Sequence, residues 1–127
     1  MSDTLQKILV VDDDIDIRLL LYFILSKAGY NVVQAVNGAD ALEITRNNKV
    51  NLIISDVKMP VMDGYELVKK LKEASETSDI PILLLTGSEQ VRISPEDLEY
   101  PPDDYLSKPF NTGSLMPKVK KLLSPPG

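Results

Sequence analysis

The sequence predicts an α/β domain built on a doubly wound parallel sheet, and three observations carry that prediction. The apolar runs ILVV (8–11), LII (52–54) and ILLL (82–85) are continuous rather than alternating, as in strands covered on both faces. Segments with helical periodicity separate these runs. Strand–helix alternation of this kind implies right-handed crossovers and a sheet with helices on both faces.

The elements can be justified in order. A first strand, Lys7–Val11, runs into the acids Asp12, Asp13 and Asp14. A helix from Asp14 to Ala28 follows, with Ile15, Leu19, Leu20, Phe23 and Ile24 read as its inward side and Gly29 at the expected stop. The second strand, Asn31–Ala35, leads through Asn37-Gly38 into a helix over Ala39–Asn47 that holds Ala41, Leu42 and Ile44. Asn-Gly alone would signal a hairpin, but the helical pattern beyond it makes a strand-to-helix turn. A third strand, Asn51–Ser55, precedes a helix over Tyr65–Ala74 with Leu67, Val68 and Leu71 inward. Glu66, four residues before Lys70, predicts a surface ion pair there. After a fourth strand, Ile80–Leu85, Pro95 forbids a helix running on from Ser88. Ser94-Pro95-Glu96-Asp97 is instead a helix start, with a capping Ser, a first-turn Pro and acids near the positive end. Pro101-Pro102 stops it, so the fourth helix is expected to be short, about Pro95 to Glu99, after an irregular segment. A short fifth strand, Asp104–Ser107, and a last helix from near Met116, with Pro117 in its first turn, complete the pattern. One domain over residues 1–123 is expected, with SPPG (124–127) as a linker or frayed end.

Composition narrows the function. The 127 residues suit a single core, and 43% hydrophobic with 26% charged residues places the chain in the globular class. No apolar run approaches the roughly 18 residues of a membrane span, and MSDTLQK lacks the layout of a secretory signal. A cytoplasmic setting without membrane contact is expected. The chain has no Cys and no His, which removes thiolate chemistry, zinc–thiolate sites, the usual general base and the commonest metal ligand. Chemistry must then rest on carboxylates, hydroxyls, Lys or a hard, oxygen-loving metal. A net charge of −5 argues against a nucleic-acid surface, and Lys118, Lys120 and Lys121 read as cations favoured at a helix end.

In open parallel sheets the ligand site lies beyond the carboxyl ends of the strands. Strand one delivers Asp12 and Asp13 there, strand three Asp56, strand four Thr86 and strand five Lys108. One acid after the first strand would serve as a helix cap; three exceed that need. Carboxylates with a backbone carbonyl make a site suited to Mg²⁺ that keeps several waters and takes a phosphate oxygen. A carboxylate can accept a phosphoryl group as nucleophile, while a metal, an ammonium and a hydroxyl neutralise the transferring oxygens. Without a cation the acids repel, and one should titrate high.

LVVDDD, SDVKMPVMDG, LLLTG and DDYLSKPF, in that order, closely resemble the receiver domain of bacterial two-component response regulators, over about Lys7 to Leu123. The resemblance, to the chemotaxis-type single-domain receiver, implies a flavodoxin-like five-stranded sheet in order 2-1-3-4-5. It implies that Asp56 accepts a phosphoryl group from a phosphohistidine on a sensor histidine kinase or histidine phosphotransfer protein. Asp13 and Asp56 would bind Mg²⁺ directly, Asp12 through water, and the Lys58 carbonyl would complete the protein ligands. Lys108 would pair with the phosphoryl oxygens, Thr86 would move toward them, and Tyr105 would turn inward with it. Lys108-Pro109 resembles the family's cis peptide, and Lys58 and Ser88 occupy positions that tune phosphoryl loss. The domain would be a signalling phosphoacceptor rather than an enzyme with a product, switching a surface for an unidentified downstream target and allowing a weak homodimer. A chain without His cannot be its own phosphohistidine donor, so a partner is required.

The stretch GSEQVRISPEDLEYPPDDY departs from the family, which has an alanine-rich fourth helix here. The alternative of a degenerate receiver, binding partners without phosphorylation, therefore stays open. A dehalogenase-type phosphatase would want a second acid where Asp56-Val57-Lys58 offers Lys. A flavodoxin would want a hydroxyl- and glycine-rich loop where this chain has acids that repel phosphate.

Overall fold

The computed structural model describes residues 6–87 and 93–124, and within them five parallel strands form one sheet. The strands are β1 (Lys7–Val11), β2 (Asn31–Ala35), β3 (Leu52–Asp56), β4 (Ile82–Thr86) and β5 (Asp104–Ser107). Their order is β2-β1-β3-β4-β5, the order implied by the resemblance. The helices are α1 (Ile15–Lys27), α2 (Gly38–Asn47), α3 (Gly64–Glu73) and α4 (Thr112–Leu123), with one 3₁₀ turn at Pro95–Asp97. Ser88 and the Pro125–Gly127 end of the expected linker lie outside the described residues.

The continuous apolar runs are central strands for the predicted reason. Every residue of β3 and β4 is buried. Leu9, Val11, Ile53, Ile82 and Leu84 pack toward α2 and α3. Ile8, Val10, Ile54, Leu83 and Leu85 pack toward α1 and α4. At about 25 cal/mol per Å², this two-sided burial is the main favourable contribution to folding.

Several boundaries and faces differ from expectation. β3 and β4 each extend one residue further toward their C-termini than the apolar runs suggest, so Asp56 and Thr86 end strands rather than follow them. On α1 the buried residues are Leu21 and Leu25, with Ile17 and Ile24 packed against the same cluster. Ile15, Leu19, Leu20 and Phe23, four of the five expected inward residues, are exposed, Phe23 by 68%. That helix is apolar nearly all round, so periodicity could not choose its inward side. Glu66 does not reach Lys70; its carboxylate accepts from the Asp63 amide while Asp63 accepts from the Glu66 amide, a reciprocal cap that opens α3. The expected short fourth helix is a single 3₁₀ turn, closed by the Asp97 amide donating to the Ser94 carbonyl.

The last helix begins at Thr112, not near Met116. Asn111 and Ser114 cap each other's backbone amides, and Leu115 and Val119 are buried against the sheet. Capping and burial together outweigh the one hydrogen bond that Pro117 removes inside the helix. Pro117 is exposed, so its cost is a backbone cost alone. Pro117→Ala is expected to restore a donor for the Gly113 carbonyl and raise stability by about 1–3 kcal/mol, read as a higher urea midpoint with unchanged slope.

Candidate functional site

Parallel register brings the chemistry to one edge. Val11 pairs with Ser55, Asp56 with Leu85 and Thr86 with Ser107, so the next residue on each strand lies at a common rim. The ladder continues past the strand ends. The Asp12 amide donates to the Ala35 carbonyl (3.2 Å), the Val57 amide to Leu85 (3.1 Å) and the Lys108 amide to Thr86 (2.7 Å). These bonds place Asp12, Asp56 and Lys108 before any side-chain interaction acts.

The side chains then meet. Asp12, Asp13 and Asp56 each offer a carboxylate oxygen, all within 4.8 Å of one another. Asp12 is fully buried, Asp56 is 5% exposed, and Asp13 faces solvent. Lys108 Nζ stands 2.9 Å from Asp56 Oδ1. That contact is an ion pair whose angles fall outside hydrogen-bond geometry, and Asp56 Oδ1 and Asp12 Oδ2 are buried without a hydrogen-bond partner among the described residues. The Lys108-Pro109 peptide is cis. Thr86 is 3% exposed at the end of β4, and Lys58 follows the acid strand on the surface. Tyr105 lies away from the acids, its hydroxyl 3.3 Å from that of Tyr65.

Of the three acids after β1, Asp14 is the helix cap: its side chain accepts from the Asp16 amide at the start of α1. Asp12 Oδ1 accepts from the Asp14 amide at 2.9 Å, leaving its second oxygen for the pocket. Burial is the largest influence on Asp12, with the neighbouring Asp56 and Asp13 charges adding to it. The Asp14 amide and Lys108 oppose them, and the pKa is raised to about 6.

Supporting residues escaped the sequence reading. Arg18 donates to the Asp12 carbonyl (2.7 Å) and to Gln34 (3.3 Å), bracing β1 against β2; a cation near the start of an apolar helix was its only signal. The Ser55 hydroxyl donates to the Asp56 carbonyl. A Cβ on Gly64 would come within 2.6 Å of that same carbonyl, so α3 can approach the acid strand only with glycine there. Between them the chain turns sharply: Val61 has φ +73° and the Met62 amide donates to the Pro60 carbonyl, a γ-turn that costs a β-branched residue about 1–3 kcal/mol. A cavity of about 630 Å³ opens at the opposite end of the sheet, by Arg46, Val50, Thr77 and Ile80, and none of Asp12, Asp13 and Asp56 lines it.

A donor set of carboxylates alone, two of them with oxygens lacking a hydrogen bond, fits a hard divalent cation. The same crowding sets a pH dependence. An acid whose pKa rises on folding binds its proton more tightly in the native state. The Asp12 contribution therefore lowers stability as pH rises from about 4 to about 6, beyond which it is constant. In chelator, Asp12→Asn is expected to flatten that fall and to stabilise the chain at pH 7 by about 2–3 kcal/mol in urea titrations.

A family model described as the response regulator receiver domain matches residues 8–120. The chain is 43% identical over 118 residues to the "Probable transcriptional regulator ycf27" of Cyanophora paradoxa, covering 93% of this chain and 48% of that one. It is 42% identical over 116 residues to Histidine kinase P4 of Formosa agariphila, covering 91% of this chain and 8% of the kinase. Among solved structures it resembles the chemotaxis response regulator CheY4 of Vibrio cholerae, at 38% identity and TM-score 0.83, covering 94% and 100% of the two chains. It also resembles the response regulator TrrA of Thermotoga maritima, solved in complex with Mg²⁺ and BeF, at 36% identity and TM-score 0.79, covering 93% and 99%. The chain spans about half the length of the first-named relative and a small part of the kinase.

Proposed function

The chain belongs to the response regulator receiver domain family, and from that premise we propose that it is a phosphorylation switch with Asp56 as the acceptor. The single observation that carries this reading is the convergence of Asp12, Asp13 and Asp56 within 4.8 Å, with Lys108 Nζ 2.9 Å from Asp56.

An Asp56 carboxylate oxygen attacks the phosphorus of a donor phosphohistidine; the new O–P bond replaces the P–N bond, whose electrons return to the imidazole. Asp12, Asp13, Asp56 and the Lys58 carbonyl would hold Mg²⁺, which supplies charge neutralisation on the transferring oxygens. Lys108 holds its ammonium at Asp56 and can follow the charge outward onto the phosphoryl oxygens. Burial of Asp56 and Asp12 excludes most water, which strengthens each of these interactions. Thr86, at the end of the adjacent strand, supplies the hydroxyl that moves toward the phosphoryl group, and Tyr105 follows it.

The partner upstream is a sensor histidine kinase or a histidine phosphotransfer protein, in a cytoplasmic setting, and the output is a surface read by another protein or region. Among the described residues no helix is long and apolar enough to cross a membrane. The receiver unit extends over residues 1–123, around the matched 8–120.

With Mg²⁺ and acetyl phosphate, the chain is expected to gain an acid-stable, base-labile modification. Asp56→Asn or a chelator should abolish it, and Lys108→Ala should slow it by on the order of 10²-fold. A well-folded chain that takes up neither Mg²⁺ nor phosphate would instead be a binding module that works without phosphorylation.

A further inference from the structure

Three hydrogen bonds close a circuit at the side of the domain. The Ile93 amide donates to the Tyr65 hydroxyl oxygen at 3.3 Å, and the Tyr105 hydroxyl donates to the Ile93 carbonyl at 3.3 Å. The two tyrosine oxygens are themselves 3.3 Å apart. A carbonyl can only accept, so Tyr105 spends its single proton on Ile93, and Tyr65 must be the donor between the tyrosines. Each hydroxyl proton is used once, and both backbone groups of Ile93 are satisfied by side chains.

Both tyrosines are anchored to the acid pocket. Tyr65 follows Gly64, whose amide donates to the Val57 carbonyl at 2.7 Å and on which an added Cβ would meet the Asp56 carbonyl. Tyr105 sits on β5, two residues before Ser107, the register partner of Thr86. Ile93 precedes the 3₁₀ turn Pro95–Asp97, the stretch where a fourth helix was expected. A helix would hold that stretch through its own backbone bonds. A single turn cannot, and Ile93 is instead held from outside.

We propose that Tyr65 is a positioning residue which, with Tyr105, clasps Ile93 and holds the 93–97 segment in its resting place, and that phosphorylation opens the clasp. The release half of the proposal rests on the phosphoacceptor reading above. Any rotation that takes the Tyr105 hydroxyl from this position breaks two of the three bonds at once. The event at Thr86 and Lys108 is thereby converted into release of the Ile93 carbonyl and freedom of the segment that follows.

The test is residue-resolved amide exchange of the full chain by NMR. Without phosphodonor, Tyr65→Phe keeps the aromatic packing but removes the shared hydroxyl. It is expected to speed exchange of the Ile93 amide by about three- to tenfold, with strand amides of β1 and β3 unchanged. Tyr105→Phe, which leaves the Ile93 amide its Tyr65 acceptor but frees the Ile93 carbonyl, should speed it by a smaller factor. In the unsubstituted chain, Mg²⁺ with beryllofluoride should speed the Ile93 amide as Tyr105→Phe does, and should add little in Tyr65→Phe. Unchanged Ile93 exchange in Tyr65→Phe overturns the clasp. Beryllofluoride that shifts the amides around Asp56 but leaves Ile93 exchange alone overturns the release while the phosphoacceptor reading stands. If the amides around Asp56 do not respond at all, that reading falls and release falls with it, and the comparison without phosphodonor still decides the clasp.

Discussion

Two carboxylates are buried side by side with one ammonium, paired to Asp56, and much of the molecule serves to make that arrangement tolerable. Burying a single unpaired carboxylate costs several kcal/mol, and here Asp12 and Asp56 are both withdrawn from water beside a third acid. Backbone hydrogen bonds fix where the acids stand. The Asp14 amide takes one oxygen of Asp12, Arg18 holds its carbonyl, and Lys108 faces Asp56. What these leave uncompensated is a local excess of negative charge that a cation relieves. The crowded acids carry an electrostatic cost that a bound cation would relieve.

The sheet explains why such crowding can be held. β1, β3 and β4 are buried along their lengths and hydrogen-bonded on both sides, so their ends cannot drift apart to separate the charges. The strained turn at Val61 and the glycine-only approach of α3 then close the pocket from one flank. Rigidity thus lies under the site, and at its side, among the described residues between β4 and β5, stands a single 3₁₀ turn.

The fold was legible where the signal was chemical as well as periodic. Continuous apolar runs leading to Asp12, Asp56 and Thr86 named the three central strands and most of the rim, because burial and chemistry meet at strand ends. α1 was misread because Ile15, Leu19, Leu20 and Phe23 satisfy helical periodicity while facing solvent. The last helix was misread because Pro117 was weighed as a start signal, whereas the Asn111–Ser114 cap and the burial of Leu115 set the true one. The residues that brace the acids were out of reach for a different reason. Arg18, Ser55 and Gly64 act through backbone groups of other segments, and no spacing in the chain announces such contacts.

The exact register of β1 against β3 has a further consequence. Side chains alternate across a strand with period two, and Val11 stands opposite Ser55 with Asp12 and Asp56 just beyond. Deleting or inserting one residue within either strand would turn its terminal acid to the opposite face, or move it a full step along the edge. The composition of the chain would hardly change, yet the pocket would no longer exist. Connections on the far side of the sheet carry no such phase. A change of loop length on that side would therefore leave the count of the two central strands intact.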